Sequence, residues 1–574
     1  MAAGVYYVRT TGNNVNAGTS AGAAWATLAY ALTTGAPAAG SIVYVGAGVY
    51  RAVLAPTVSG AATATGTNGV TSAAGTTFTD STANAFLVGM VGQNIEITAG
   101  NSTYICKITA YTSSSVITIA PASAAGFPVA AYSSCTWTIG KIAIIGDVDG
   151  SQTGDAGQVT ITAYTTNDKT APSASVLLAL AATTYQCYSH LTFIQGSAAA
   201  ISNTAGSSHI AFLDCVVNGA TGLDNGGSAI SHVSSTTGLA MTYIYDRCFV
   251  TSSNHTIAVG TPIMAWSLAT TSTGSADFDA KVVVRNCVIM ATGAGWSVGV
   301  LSTGGNTYHG GGVRLYNCTL MGSSCFGTNS ANNSTTVPCE IHNSLLFGEV
   351  GGINAAAASQ ITETYNLIYS IVPRTNVTTG AGSISDGSYA PLIELGQFSK
   401  WAMGGVRPFL TPDGAGSPLL GFGTSGASYP TVDFLNRPRP SGGGSASYAV
   451  GAYELHDFAI KDTTTYPTGQ TAAGKLVGPG DQIISVPVDA TATVLTIAVE
   501  QGSGYTGTTY ATATLLQNTE IGVASQVQTC SSTTGSFQTL TFSSFTPTKQ
   551  GWVNLQITSY DTSGTGVLWF GALT

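Results

Sequence analysis

The chain has 574 residues, 71 of them glycine, with 7% charged residues, a formal net charge of −9 and a mean hydropathy of +0.27. Disorder requires low hydrophobicity and high charge, and nucleic-acid binding requires a basic stripe that 17 Lys and Arg do not offer, so both classes are excluded. No apolar run nears the ~18 residues that span a bilayer, and Met1–Arg9 lacks the basic and apolar regions of an export signal, so synthesis in a cytoplasm without a signal peptide is expected.

Residues 1–60 read as the opening of a solenoid. A strand at Tyr6–Val8 precedes a helix whose Trp25, Leu28, Ala29 and Leu32 fall on one stripe. A solenoid end exposes its core and strand edges, and this helix is the expected cap. The first coil strand follows at Ser41–Val45, with a turn over Gly46–Arg51. Residues 61–140 break the pattern. Strand-like stretches at Thr76–Thr79, Gln93–Thr98, Tyr104–Thr109, Val116–Ile119 and Cys135–Ile139 have the spacing of a small antiparallel barrel inserted between the first coils.

The solenoid resumes at Lys141 and is expected to run to 455, with early strands at Ile142–Ile145 and Val159–Thr162 and another coil marked by Leu191 and Phe193. Five later segments then repeat one phrase: Ile210–Val217, Tyr243–Val250, Val282–Ile289, Val313–Leu320 and Cys339–Leu346. Cys215, Cys248, Cys287, Cys318 and Ser344 hold the same slot in each, at steps of 26 to 39 residues. Such a period marks a solenoid, whereas sandwich strands recur every ~8–12 residues. Apolar residues alternate on either side of a polar residue and slip by one across it, so that residue belongs at a bent, left-handed corner. Stacked coils would superpose Asn286, Asn317 and Asn343 in an amide ladder and the thiols in an axial file. A further coil at Thr364–Ile368, with Asn366, fits the phrase less well.

From 371 to 455 the chain turns Gly/Pro-rich, and from 456 to 574 antiparallel strands suggest a β-sandwich or jelly roll. Those strands are Gln482–Val488, Ala492–Val499, Tyr510–Leu516, Phe537–Phe542 and Trp552–Ile557. The fold class is therefore all-β: a right-handed parallel β-helix with an inserted barrel-like domain and a C-terminal sandwich. The ten cysteines are expected reduced, with pairing of Cys106 and Cys135 left open, and no C-x-x-C or His spacing suits zinc.

Tyr44–Tyr50, Ser417–Gly421 and Val450–Glu454 resemble the start and end phrases of right-handed parallel β-helix proteins of the pectate-lyase-like superfamily. A narrower similarity, to virion proteins of tailed bacteriophages, is carried by Phe78–Asp80, Val88–Ile95, Ile145–Val159, Gly535–Phe542 and Thr546–Thr548. The fold alone does not fix a function. The resemblance implies a virion structural protein (fibre, spike or capsid decoration), a homotrimer in contact with other virion proteins and, through the terminal module, with host glycans. The second reading it admits is a tailspike-type depolymerase or lyase, and the third a bacterial surface adhesin, which would need an export route.

Cleavage of a glycan would need carboxylates ~5–10 Å apart, a spacing that matching slots in coils ~4.8 Å apart can supply. The mid-solenoid offers Asp214, Asp224, Asp246, Asp277, Asp279, Glu340, Glu349 and Glu363. Asp214 and Asp246 look near-equivalent and belong to the corner, where later coils carry Asn. Asp147-Val-Asp149-Gly150 opens like a calcium loop but lacks the later ligands, and turn chemistry accounts for it. His342 has a surface position as its default reading, and His309 lies in a glycine-rich loop without a triad partner. Tyr308, Trp266, Trp296 and Trp401 are possible sugar-stacking rings, with core packing the commoner fate. No catalytic, cofactor or metal residue is assigned.

Overall fold

The structure, a computed structural model, describes residues 3–386 apart from 123–126, 128–129, 164–175, 181–183, 195–198, 204–208, 220–227, 235–240, 253–261, 269–279, 292–295, 302–311 and 330–337. It also describes scattered positions between 423 and 452, and 472–573 with shorter gaps. Ten parallel strands form one sheet, here sheet A: Val5–Val8, Ile42–Val45, Ile142–Gly146, Tyr185–Ser189, His209–Leu213, Met241–Asp246, Ala280–Arg285, Val313–Tyr316, Cys339–His342 and Ile361–Thr364.

A second sheet, sheet B, of fifteen strands supplies the other two faces of the tube. One face stacks Gly48–Arg51, Val159–Thr162, Thr192–Ile194, Val216–Gly219, Phe249–Ser252 and Val288–Met290; the other stacks Leu178–Leu180, Ile201–Asn203, Ile230–Ser234, Pro262–Leu268 and Trp296–Leu301. The two faces merge where the long strands Thr319–Thr328, Leu345–Asn354 and Leu367–Thr375 cross the corner, with register slips at Gly322/Ser324 and Gly348/Gly351, and Ile384–Asp386 pairs with the last of them. The chain is a right-handed parallel β-helix. Gly48–Arg51, read above as a turn, is itself the edge strand of sheet B.

The repeated phrase is the bend between sheet A and sheet B. His190, Asp214, Arg247, Asn286, Asn317, Asn343 and Tyr365 all have φ between +49° and +56°. Short polar side chains tolerate that conformation best, which explains the Asp and Asn, while Arg247 N donates to Arg285 O of the next coil and Tyr365 N to Ala381 O. Two expectations are thereby corrected. The corner residue of its coil is Arg247 and not Asp246, which ends the strand beside Leu213 and Arg285 in register. In the last coil Tyr365 turns the corner, and Asn366 takes the inward slot.

That slot forms an axial file. Each thiol reaches a carbonyl of the preceding coil: Cys248 Sγ donates to Phe212 O at 3.2 Å, Cys287 Sγ to Tyr245 O at 3.5 Å and Cys318 Sγ to Val284 O at 3.4 Å. In the opposite sense Cys318 N donates to Ser344 Oγ and Ser344 N to Asn366 Oδ1. None of the ten cysteines is in a disulfide and all are buried, Cys106 and Cys135 included, and burial pushes the Cys215 and Cys287 thiols up. The corner amides do not form the expected ladder. Asn286 Nδ2 donates to Asp246 Oδ1 and Ser102 Oγ, its Oδ1 accepts from Arg439, and Asn343 exchanges both bonds with the Thr424 backbone. The corner amides therefore fasten other parts of the chain to the tube, with Asn286 also reaching Asp246 of the preceding coil.

At the first coil the helix is shorter than expected, Leu28–Leu32, with Thr27 Oγ1 capping Tyr30 N. Trp25 lies before it, stacked on Tyr6 at 5.2 Å, and its backbone donates to Tyr7 O and accepts from Arg9 N. The edge of sheet A is thus closed by the segment around Trp25, with the helix packed on the core beside it.

Residues 64–139 form a closed six-stranded antiparallel barrel. Its first strand, Ala64–Thr71, escapes the sequence reading because Gly66 and Gly69 sit where the Trp137 and Phe78 rings pack. Between Ala472 and Leu573, two four-stranded antiparallel sheets share one core of Leu495, Ile497, Val499, Ala513, Leu515, Leu540, Phe542, Leu555 and Ile557.

The last coil ends the core with a charge. Ile361 and Glu363 point inward, and the Glu363 carboxylate is fully buried. It accepts from Arg374 Nε at 3.0 Å, Gly380 N at 2.7 Å, Asn366 Nδ2 at 2.8 Å and Ser383 Oγ. A carboxylate with several donors is satisfied in place and leaves no apolar end exposed. Glu363→Gln, which cannot accept from all of them, should lower stability by about 2 kcal/mol. Hydrogen exchange should show the loss confined to the last coil, and a global loss would contradict this role.

Candidate binding face on the last coils

Burial along sheet A changes from coil to coil, and that change positions the site. Ile42–Val45 and Ile142–Gly146 are buried on both faces, as continuous apolar runs require. Their outward residues Tyr44 and Ile145 join Cys187, Ala211 and Leu213 in a cluster with Ile105 and Ala122 of the barrel, which covers this part of the sheet. In Val313–Tyr316, Cys339–His342 and Ile361–Thr364 strict alternation takes over, and the outward positions are partly or fully exposed. Register stacks Arg314, Glu340 and Thr362 in one outward row and Tyr316, His342 and Thr364 in the next.

Those two rows make one cluster. Glu340 lies 3.4 Å from Arg314 Nε and 3.6 Å from His342 Nε2 and accepts from Tyr316 OH at 3.3 Å. His342 Nδ1 is 2.6 Å from Thr364 Oγ1, so Thr364 orients the ring. The His342 bond, with Arg314 nearby, holds the Glu340 carboxyl below its usual range. The Tyr316 and His342 rings stack at 5.4 Å and 15°, and Tyr429 stands edge-on to both at 5.9 and 6.0 Å. Burial raises the Tyr316 phenol to about 12, so it is a neutral donor. The side chains of Arg314 and Glu340 keep 43% and 28% of their exposure, open enough to meet a ligand. The arrangement offers ring faces, a cation and fixed hydrogen-bonding groups, with one ionised carboxylate.

The other sequence candidates fall elsewhere. Asp214 accepts from Arg247 Nε at 2.8 Å, and Asp246, fully buried, accepts from Thr103 N of the barrel at 2.7 Å and lies 3.0 Å from Arg285 Nε and 3.2 Å from Arg247 Nη1. Arg247 also donates to Thr103 O and lies over the Tyr104 ring, and Arg285 donates to Thr103 Oγ1. Asp246 therefore clamps the barrel to the coils, and Asp214 bears on that contact only through Arg247. Asp147 accepts from the backbone of Gln152 and Thr153, closing a turn, and the described residues hold no group of three possible metal ligands. Trp266 is buried in the core, and Trp296 packs against Gly327. Asp224, Asp277, Asp279, Tyr308, His309, Trp401 and the side chain of Glu349 lie outside the described residues. Arg314, Tyr316 and Tyr429 were not singled out from sequence. The first two were readable in the alternation of Val313–Tyr316, but Tyr429 arrives from a distant loop with no local pattern.

Comparison with protein-family models and with curated proteins finds no match. Among solved structures the chain is similar to pectate lyase Pel9A (14% identity, covering 79% of this chain and 97% of that one, TM-score 0.32). It is also similar to XylC in complex with xylose (8%, 79% and 98%, TM-score 0.22) and to the enzymatically active domain of bacteriophage CBA120 tailspike protein 4 (13%, 75% and 60%, TM-score 0.15).

Proposed function

We propose that this chain is a β-helix protein of a phage particle, of tailspike type, that binds host-surface polysaccharide on the outer face of its last coils. The observation that carries the reading is the ring cluster of Tyr316, His342 and Tyr429 around Arg314 and Glu340, on the part of sheet A that the barrel leaves uncovered. Sugars present apolar CH faces to aromatic rings and hydroxyls to such polar groups. A virion location and a homotrimer belong to the same proposal. Mass spectrometry of purified particles tests the first and analytical ultracentrifugation the second; absence from particles overturns the virion role.

Binding is favoured over cleavage because hydrolysis takes two carboxylates, one of them with a raised pKa, whereas Glu340 stands without a second described carboxylate in its cluster and is held low. Depolymerisation is the second reading, motivated by the Glu340–His342–Thr364 relay. Tyr316→Ala should weaken retention on capsular polysaccharide by about tenfold, the worth of a stacked ring in a polar cluster. Unchanged retention would remove the site. Oligosaccharide release by the wild type that is lost in Glu340→Gln would establish the second reading instead.

A further inference from the structure

We propose that the glycan taken by the last coils is acidic, and that Arg314 selects it by pairing with a sugar carboxylate. The inference rests on the reading of that face as a glycan-binding surface and adds the class of glycan to it. Arg314 and Tyr316 are two apart on one strand, so their side chains leave the same face about 6.6 Å apart. In register the preceding coil sets Val283 beside Arg314 and Arg285 beside Tyr316, and the following coil sets Glu340 beside Arg314.

Of the two arginines on these strands only one is open to a ligand. Arg285 is buried, lies 3.0 Å from Asp246 and donates to Thr103 of the barrel, so its charge is taken up inside the clamp. The Arg314 side chain keeps 43% of its exposure on the next strand. It approaches Glu340 through Nε at 3.4 Å, too long for a strong hydrogen bond, and its terminal nitrogens bond to none of the described residues. Residues 302–311 and 330–337, which precede the strands of Arg314 and Glu340 in sequence, include no Asp or Glu.

The count of donors and acceptors decides the sign of the ligand's charge. Glu340 already has Tyr316 OH at 3.3 Å, Arg314 Nε at 3.4 Å and His342 Nε2 at 3.6 Å around it, so its oxygens are turned to the protein. An amino sugar would have to displace one of those groups. A guanidinium offers five N–H donors, and the outer ones of Arg314 form a planar fork that a carboxylate fits with two parallel bonds. A neutral sugar would leave that fork in water. Tyr316 and His342 beside it give the rest of the sugar its contacts, so the acid group sets the class of glycan and the rings hold it.

The test is affinity electrophoresis of the full chain, relative to polymer-free gels, through gels holding alginate or hyaluronan, the same two polymers after carboxyl reduction, or dextran sulfate. At least one carboxylate polymer should retard the wild type about tenfold more than its reduced form does. Arg314→Gln should bring that retardation down about tenfold, to the level of the reduced polymer, and Arg314→Lys, which keeps the charge without the fork, should fall between. Equal retardation by the acidic and reduced polymers, lost in Tyr316→Ala and unchanged in Arg314→Gln, overturns the acidic class and leaves the glycan-binding face standing. Retardation by dextran sulfate with both carboxylate polymers passing freely overturns the carboxylate. No retardation by any polymer, or retardation that Tyr316→Ala leaves intact, overturns the reading of the face and this inference with it.

Discussion

Asp246→Ala should destabilise the protein by about 3–5 kcal/mol, the cost of leaving buried cations without their anion. The Arg247 and Arg285 side chains keep only 1% and 7% of their exposure, and both lie within 3.2 Å of this carboxylate. Thr103 N, in the barrel, would also lose its acceptor. Because Asp246 joins coil to barrel, the expected signature is more than a lower melting temperature. Protease should cut between the barrel and the coils at temperatures where the wild type resists, and Asp246→Asn should fall between the two. Asp214→Ala should cost less, since Asp214 is partly exposed and pairs with Arg247 alone. Neither change should reduce the retention on capsular polysaccharide proposed for the last coils in the protein that remains folded. A shift for Asp246→Ala no larger than that for Asp214→Ala would show that the clamp is not what holds the barrel.

The same residue shows where sequence stops being legible. The coil phrase could be read because an inward thiol slot and a left-handed corner each tolerate few residue types, so the constraint leaves a repeating trace. In Tyr243–Val250, however, two polar residues straddle the bend, and their order cannot tell which has φ near +55° and which faces the barrel. The pairing of Asp246 with Thr103, 143 positions away, decides that, and no local pattern encodes it. The amide ladder failed for a related reason: Asn286 and Asn343 found partners outside the repeat, at Ser102, Arg439 and Thr424, and Asn286 met Asp246 rather than another corner amide. The exposed face of the last coils was legible in outline, since Val-Arg-Leu-Tyr and Cys-Glu-Ile-His alternate where earlier strands run apolar. Its third ring, Tyr429, was not.

Acid should unfold this protein earlier than its few carboxylates alone would require, and His232 is the reason. Its ring is inside the tube, stacked on Trp266 at 4.6 Å and close to Tyr243 at 4.3 Å, with Nε2 2.6 Å from Tyr245 OH. Burial among neutral rings lowers its pKa to about 3, so the folded protein keeps it uncharged while the unfolded chain protonates it near 6.5. Between those values the unfolded state binds the extra proton. The contribution of His232 is therefore intact above pH 6.5 and is lost as pH falls toward 3, by about 1.4 kcal/mol per pH unit. His190, also lowered by burial, adds to the slope in the same direction. His232→Phe keeps a ring in the stack and removes the titration. At neutral pH it should cost about 1–3 kcal/mol, because the Tyr245 hydroxyl loses its partner. By pH 4.5 the wild type should have lost about 2.7 kcal/mol through His232 that the variant does not lose, bringing the two near equality. Denaturant titrations of both proteins at pH 7.5, 6, 5 and 4.5 measure the difference directly. Parallel stability curves over that range would mean that the His232 imidazole is charged or hydrated inside the fold, and the neutral aromatic core described for these coils would be wrong.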